Sequence, residues 1–225
     1  MNTFAIVCSR KDKPAKELNV LTKFFEQNNI IYHVAYDAPS IFEGHRQGMH
    51  LLHPEDDDTV IICHDDIEII SNDLSFWLEK YLKDNSTGFV GVAGTTFLDR
   101  DLMWWDAAKR ALGKHRGFCF QGADKITMTP NHFGKFGERV VCLDGLFLAC
   151  KAKTLKEIGM KKPKFLSGNW DFYDIFYTLT AHEAGLTNYV VPIIIRHVSS
   201  GEMRPEWYTA RQEMERNFRF PVYCR

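Results

Sequence analysis

Apolar runs and amphipathic stretches alternate along the first part of the chain. Short apolar runs, typical of strands, occupy residues 4–8, 30–36 and 59–63. Between them, apolar residues recur every three or four positions, first after Pro14 and again over residues 42–52, as expected of helices packed on one face. The run at 59–63 is apolar on both faces, which is typical of a central parallel strand. The pattern predicts an α/β fold in which helices cover both faces of a mostly parallel sheet.

The alternation continues to residue 94 and then stops. It adds a helical stripe at 74–82 and a strand at 89–94. Residues 95–139 form a glycine-rich, aromatic and basic excursion without firm periodicity, and an excursion of this length usually has a function. Beyond it the pattern predicts strands at 140–143, 146–150 and 189–195, and helices at 154–158, 170–184 and 205–218. Because no repeat or low-complexity tract divides the chain, we expect one domain over residues 1–225.

Composition and charge narrow the class of protein. Hydrophobic residues make up 45% of the 225 positions and charged residues 25%, which is enough for a full core in one domain. The net charge of −1 gives no general attraction to nucleic-acid phosphates, so we expect no nucleic-acid partner. The first apolar run is too short for a signal peptide, and no stretch has the length of a transmembrane segment. We therefore expect a soluble, cytoplasmic protein.

Three polar residues, His64, Asp65 and Asp66, follow the run at 59–63 directly. This position puts acidic groups at the carboxyl edge of a parallel sheet, where open α/β folds bind their ligands. Adjacent carboxylates repel each other, and a divalent cation bridging to phosphate oxygens would relieve that repulsion. Alternation along an extended chain points Asp65 and Asp66 to opposite sides, so one can take the metal while the other reaches a sugar hydroxyl. A solvated loop after a strand explains the same residues equally well.

The helix expected at 170–184 carries a second pair of carboxylates. Asp171, Asp174 and Thr178 share one helical face, beside a neighbouring face that is apolar. A carboxylate held in this way can take a proton from an acceptor hydroxyl, so Asp171 and Asp174 are candidates for a catalytic base. Asp171 alone is explained more simply by its place in the first turn, where negative charge meets the helix dipole favourably.

A late histidine and a tryptophan pair are further candidates. His197 follows the strand expected at 189–195, and its neutral ring nitrogen can complete a metal site if the two strand ends converge. A structural role is the common alternative for a lone histidine. Trp104 and Trp105 offer flat faces suited to sugar rings, but tryptophan pairs more often belong to a core.

Five segments carry a resemblance to a known family. They are residues 6–9 (Ile-Val-Cys-Ser), 64–67 (His-Asp-Asp-Ile), 143–149 (Leu-Asp-Gly-Leu-Phe-Leu-Ala), 172–175 (Phe-Tyr-Asp-Ile) and 197–201 (His-Val-Ser-Ser-Gly). In this order they resemble family-2-like GT-A glycosyltransferases of the nucleotide-diphospho-sugar transferase superfamily. The resemblance implies a single Rossmann-like domain, with a nucleotide-binding half at residues 1–94 and an acceptor-side half at 95–225 that ends in a helix.

The resemblance also implies roles for individual residues. The acidic DxD-type signature falls on His64, Asp65 and Asp66, with Asp66 binding Mn²⁺ or Mg²⁺ and Asp65 touching the ribose. His64 stands where an aspartate is commoner. His197 matches the histidine that completes the metal site, and Asp174 matches the base of an inverting displacement at the anomeric carbon. Three further residues would contact the donor, namely Ser9 and Asp37 at the nucleobase and Asp144 near the donor sugar.

The activity implied is hexosyltransferase-like transfer of a sugar from a nucleotide-diphosphate donor, with UDP-sugar favoured, to a glycan or other hydroxyl acceptor. A sugar-nucleotide pyrophosphorylase shares the architecture but usually carries a glycine-rich phosphate loop, and residues 9–13 contain no glycine. An inactive nucleotide-sugar- or carbohydrate-binding module of the same fold is the non-enzymatic alternative, which His64 in place of aspartate makes plausible. Donor binding without turnover would favour that module.

Overall fold

The computed structural model describes residues 2–199, 201 and 203–224. The helices of this part of the chain are α1 (Leu18–Gln27), α2 (Ile41–Leu52), α3 (Leu74–Leu82), α4 (Ala107–Ala111), α5 (Ala152–Ile158), α6 (Tyr173–Glu183) and α7 (Pro205–Asn217). Its strands are β1 (Thr3–Ser9), β2 (Ile31–Tyr36), β3 (Thr59–Cys63), β4 (Ile67–Ile69), β5 (Thr87–Gly91), β6 (Ala93–Thr95), β7 (Phe97–Leu98), β8 (His115–Gly122), β9 (Thr129–His132), β10 (Arg139–Val140), β11 (Cys142–Leu143), β12 (Phe147–Lys151), β13 (Thr187–Val190), β14 (Ile195–Val198) and β15 (Val222–Tyr223).

The central sheet has the strand order β10-β13-β5-β12-β3-β1-β2. Strands β2, β1 and β3 are parallel to one another, as are β5 and β13. Strand β12 lies between β3 and β5 and runs antiparallel to both, and β10 is antiparallel to β13. The prediction of an α/β fold with helices around a central sheet is confirmed, but the sheet is mixed. Because β12 runs antiparallel to β3, the loop before β12 lies at the carboxyl end of β3, next to His64, Asp65 and Asp66.

A second sheet, in the order β11-β6-β8-β14-β4, meets the first at this end, with β9 paired to β8. The chain passes between the two sheets several times, and three of these passages divide a run that the sequence predicts as one strand. Residues 89–94 divide between β5 and β6, residues 140–143 between β10 and β11, and residues 189–195 between β13 and β14. Apolar periodicity does not reveal such a change of sheet, because both parts of each run are buried.

The excursion at residues 95–139 is largely folded. Its main element, β8, has an alternating burial pattern whose inward residues are His115, Gly117 and Cys119. These are not typical strand-core residues, so the period of two is hidden in the sequence. Trp104 is only 2% exposed and packs against His115 and Phe133, which confirms the interpretation of this tryptophan as core.

Helix α6 begins later than the sequence predicts. Phe172 has a left-handed backbone with φ of 62°, which a helix cannot continue through, and its ring packs against Trp207. The expected helix at 170–184 therefore starts at Tyr173. Asp171 lies before this break, so the prediction that it shares a helical face with Asp174 is wrong.

A fully buried asparagine joins several elements of the core. The side-chain amide of Asn188 donates to the carbonyl oxygens of Val141 at 3.0 Å and Thr178 at 2.8 Å. Its oxygen accepts the backbone N–H of Phe89 at 3.0 Å. One side chain thus satisfies backbone groups from β5, α6 and the turn between β10 and β11. No helix in the described ranges is both long and apolar enough to cross a bilayer.

Candidate active site

Two strand pairings bring the polar residues together at the carboxyl end of β3. Because β4 follows this end directly and pairs antiparallel with β14, His197 lies opposite Ile67. The backbone N–H of Val198 donates to the carbonyl oxygen of Asp66 at 2.9 Å. On the other side, the N–H of His64 donates to the carbonyl oxygen of Leu146 at 3.2 Å. The convergence on which a metal role for His197 depends is therefore present, and it comes from β4, a strand that the sequence pattern did not predict.

His64, Asp66 and His197 form a compact group of possible metal ligands, with one ligand atom of each lying within 4.8 Å of the others. Asp66 Oδ1 is 3.4 Å from His197 Nε2 and 3.7 Å from His64 Nδ1. The two imidazole nitrogens are 3.4 Å apart. Among the described residues, Asp66 Oδ1 is buried and accepts no hydrogen bond. Its polar neighbours are the two imidazole nitrogens at 3.4 and 3.7 Å, and a cation is a closer partner that the oxygen and these nitrogens could share.

The charges of this group are coupled. Burial acts to lower the pKa of His197, but the adjacent Asp66 carboxylate outweighs it and the pKa is raised. Burial likewise acts to raise the pKa of Asp66, but the two histidines outweigh it and the pKa is lowered. For His64, burial and the neighbouring His197 both lower the pKa. The group therefore holds an ionised carboxylate beside a neutral His64 ring.

Tyr173, at the start of α6, links this group to the loop before β12. Its hydroxyl donates to the carbonyl oxygen of Gly145 at 2.7 Å and lies 3.1 Å from His64 Nε2. Gly145 fits closely against this ring, since a Cβ there would lie 2.3 Å from the hydroxyl oxygen. A side chain at position 145 would therefore displace Tyr173 from His64.

Two of the expected donor-binding residues lie beside the metal group and one lies further along the edge of the sheet. Ser9 Oγ donates to Asp65 Oδ2 at 2.5 Å, and the N–H of Ala15 donates to the same oxygen at 3.3 Å. Asp65 is thus held against β1, while Asp66 contacts His197. The two residues lie in the turn between β3 and β4, so this divergence comes from the turn and not from the strand alternation expected of them. Asp37, after β2, accepts the N–H of Lys11 at 3.1 Å and is joined to Ser9 through its own N–H.

Asp144 and Asp174 lie on either side of Gly145. Asp174 Oδ2 accepts the N–H of Gly145 at 3.0 Å, and Asp144 Oδ1 accepts the N–H of Leu146 at 2.9 Å. Burial, together with the nearby Asp144 carboxylate, raises the pKa of Asp174 to about 7. A carboxylate with this pKa is matched to proton transfer near neutral pH.

Asp171 lies apart from this arrangement, on the segment that leads into α6. Burial raises its pKa, and Arg204 acts in the opposite direction. Neither Asp171 nor the tryptophan pair lines the cleft beside the metal group. Trp105 instead packs edge-on against Trp104 and Trp207.

A cleft of about 720 Å³ opens onto His64, Asp65 and Asp66. The indole of Trp170, 45% exposed, forms part of its wall. A cleft of similar size, about 730 Å³, follows α7 but contains none of the carboxylates or imidazoles described above. Four cationic side chains also line the first cleft, namely Arg10, Lys13, Lys16 and Arg204.

Residues 31–218 match the model of a family described as "Glycosyltransferase like family". The chain belongs to this glycosyltransferase-like family. The match confirms the resemblance to a glycosyltransferase family, and four of the five segments that carry the resemblance lie within it. Among solved structures, the glycosyltransferase-like chain is similar to A197 from STIV, with 16% sequence identity and a TM-score of 0.50. The similarity covers 87% of this chain and 81% of that chain, and it supports the fold alone. No curated protein sequence matches the chain.

The cations of the cleft are the feature of this glycosyltransferase-like chain that the sequence reasoning missed. Arg10 and Lys13 belong to the basic run that follows β1, which the pattern identified only as the end of a strand. Their place beside an acidic, metal-competent group at a sheet edge is a signal for phosphate binding. Trp170 and Tyr173 were also missed, because neither stands out from the apolar residues around α6.

Proposed function

We propose that the chain is a metal-dependent glycosyltransferase that moves a sugar from a nucleotide-diphosphate donor, with UDP-sugar favoured, to a hydroxyl of a glycan acceptor. The observation that carries the proposal is the buried oxygen of Asp66, which accepts no hydrogen bond and lies 3.4 Å from His197 Nε2, at a cleft lined by four cations. A nucleoside diphosphate is the ligand class that needs both a bound cation and basic side chains. Family membership supports sugar transfer as the reaction.

The donor diphosphate is assigned to the cleft, with Lys13 and Arg204 among the residues that hold it. Asp66 and His197 would hold Mn²⁺ or Mg²⁺, which when bound neutralises charge that develops on the leaving diphosphate. Ser9 and Asp37 are assigned to the nucleobase side. Asp65, already fixed by Ser9, is placed to accept a ribose hydroxyl, and Asp144 to contact the donor sugar.

Asp174 is assigned as the general base. It takes the proton of the acceptor hydroxyl while the acceptor oxygen attacks the anomeric carbon and the bond to the diphosphate oxygen breaks, which inverts the configuration. The N–H of Gly145 fixes the position of one carboxylate oxygen, Oδ2. The displaced helix start favours Asp174 over Asp171 for this role. The acceptor side is assigned to residues 95–225. Two residues of that half, Trp170 and Arg204, nevertheless line the cleft assigned to the donor.

Turnover of donors tests the proposal. The protein is incubated with a panel of UDP- and GDP-sugars, with and without a glycan mixture, and released nucleoside diphosphate is measured. We expect release from one donor class in Mn²⁺, a loss of at least about 100-fold in EDTA, and recovery when excess Mn²⁺ is restored. Equal release in EDTA would contradict metal dependence. Donor binding without release would favour the inactive module, and release of sugar 1-phosphate would favour a pyrophosphorylase.

A further inference from the structure

The group around Asp66 contains one nitrogen more than the proposed function uses. His64 Nδ1 lies 3.4 Å from His197 Nε2 and 3.7 Å from Asp66 Oδ1. Ligand atoms at adjacent corners of an octahedral shell, each about 2.1 Å from the ion, lie about 3 Å apart. The three ligand atoms therefore match one triangular face of such a shell, with separations about 0.4–0.7 Å longer than in the metal-bound shell.

The hydrogen bonds of His64 determine which ring nitrogen has a lone pair. The Tyr173 hydroxyl has one hydrogen, and it is donated to the Gly145 carbonyl oxygen, which can only accept. His64 Nε2, 3.1 Å from that hydroxyl oxygen, must therefore be the donor of their hydrogen bond. A neutral imidazole with its hydrogen on Nε2 has its lone pair on Nδ1. That lone pair faces Asp66 and His197.

Packing fixes this arrangement. Tyr173 is 3% exposed, and its ring contacts those of His45 and Tyr177 edge-on. The absence of a side chain at Gly145 allows the hydroxyl to reach the carbonyl oxygen. The Gly145 carbonyl oxygen holds the Tyr173 hydroxyl, and that hydroxyl in turn holds His64 Nε2. Hydrogen bonds of this kind, made by the ring nitrogen that does not bind the metal, orient metal-bound imidazoles.

We propose that His64 Nδ1 is the third protein ligand of the metal, beside Asp66 Oδ1 and His197 Nε2, and that the site therefore selects Mn²⁺ and similar transition ions over Mg²⁺. The inference rests on the proposed function, which supplies the metal. It replaces the expectation of either Mn²⁺ or Mg²⁺ with a preference for Mn²⁺. Two imidazole nitrogens and one carboxylate oxygen suit first-row transition ions, whereas Mg²⁺ prefers oxygen ligands and retained water. Tyr173 is a positioning residue for His64.

Pulsed EPR of bound Mn²⁺ tests the inference by counting the coordinated nitrogens without any enzyme turnover. In wild-type protein with Mn²⁺ and UDP, we expect coupling to two imidazole nitrogens. In His64→Ala we expect coupling to one imidazole nitrogen, and Mn²⁺ should bind at least about tenfold more weakly than to wild type. Mg²⁺ should displace wild-type Mn²⁺ only at about 100-fold or greater excess, and His64→Asp should reduce that excess by about tenfold. His50→Ala, an exposed histidine on α2, is the matched control and should leave both readouts unchanged.

Tyr173→Phe tests the positioning role. Removing the hydroxyl should weaken Mn²⁺ binding by about tenfold and alter the coupling of one imidazole nitrogen. A role limited to packing would change the thermal midpoint of the metal-free protein and leave the nitrogen coupling as it is.

The metal measurements distinguish failure of the His64 ligand from failure of the whole metal site. One coordinated nitrogen in wild-type protein, or unchanged Mn²⁺ affinity in a folded His64→Ala protein, would overturn the role of His64, while Mn²⁺ binding that Asp66→Ala abolishes would leave the proposed site standing. If wild-type protein bound no Mn²⁺, or if Asp66→Ala bound it normally, the proposed function and this inference would fall together.

Discussion

Replacing Asp174 by asparagine lowers kcat/KM by about 10²- to 10⁴-fold, the usual contribution of a positioned general base. Asparagine keeps the oxygen that accepts the Gly145 N–H and has nearly the same shape, but it cannot take a proton from the acceptor hydroxyl. Donor binding should be unchanged, because Asp174 does not line the cleft assigned to the diphosphate. The measurement is steady-state kinetics with the donor identified by the turnover panel. Transfer at the normal rate would eliminate Asp174 as the base.

The pH dependence of the wild-type protein provides a second readout of the same residue. The pKa of Asp174 is raised to about 7, and the base must be ionised to accept a proton. We therefore expect kcat/KM to be constant above this pKa and to fall about tenfold per pH unit below it. In Asp174→Asn the residual rate should lack this acidic limb.

Stability separates loss of the base from loss of the fold. The pKa of Asp174 is higher in the folded protein than its value near 3.8 in the unfolded chain. Between pH 3.8 and about 7, the native state therefore binds a proton that the unfolded state does not. Its contribution to stability is present below the unfolded pKa and is lost as pH rises through about 7. Asparagine carries no charge, so Asp174→Asn does not lose stability as pH rises. At pH 8 the variant should therefore unfold at the same urea concentration as wild type or at a higher one.

Replacing Asn188 by leucine lowers the free energy of unfolding by about 3–6 kcal/mol, the largest stability effect that we expect from one side chain. The change leaves the N–H of Phe89 and the carbonyl oxygens of Val141 and Thr178 buried without their partner. Each unsatisfied buried group costs about 1–3 kcal/mol. Urea unfolding followed by circular dichroism measures the loss.

Asn217→Leu is the matched control for this substitution. Asn217 also donates to a backbone carbonyl oxygen, that of Glu213 at 2.8 Å, but it is exposed at the end of α7. Water can replace its hydrogen bond, so we expect a change within about 0.5 kcal/mol. Similar unfolding midpoints for the two variants would contradict the importance of the Asn188 network.

Much of the fold follows from the sequence because it depends on local periodicity. The boundaries of β3 and α3 agree with the apolar pattern, and β1 and α2 differ from it by only one or two residues. What the sequence could not reveal depends on pairing between distant segments. The antiparallel position of β12 and the changes of sheet within single apolar runs are of this kind.

In the candidate site, too, local features could be predicted from the sequence, whereas contacts between distant segments could not. The polar residues after β3 are conspicuous in sequence, whereas the approach of His197 requires the pairing of β14 with β4, a three-residue strand. The left-handed residue Phe172 removes Asp171 from the helical face expected of it, and nothing in the apolar pattern signals that break. The contact from His64 through Tyr173 to Gly145 joins three segments far apart in the chain, so spacing could not predict it.

The most direct test of the central claim is titration calorimetry of UDP against wild-type protein and Asp66→Ala, each with Mn²⁺ and with EDTA. Glu157→Ala, which removes an exposed carboxylate on α5, is the matched control. We expect UDP to bind wild type and the control in Mn²⁺ at least about 100-fold more tightly than in EDTA, since an ion held by Asp66 would neutralise charge on the diphosphate. In Asp66→Ala that difference should vanish. UDP binding that is equal with and without metal, or equal in wild type and Asp66→Ala, would contradict the account.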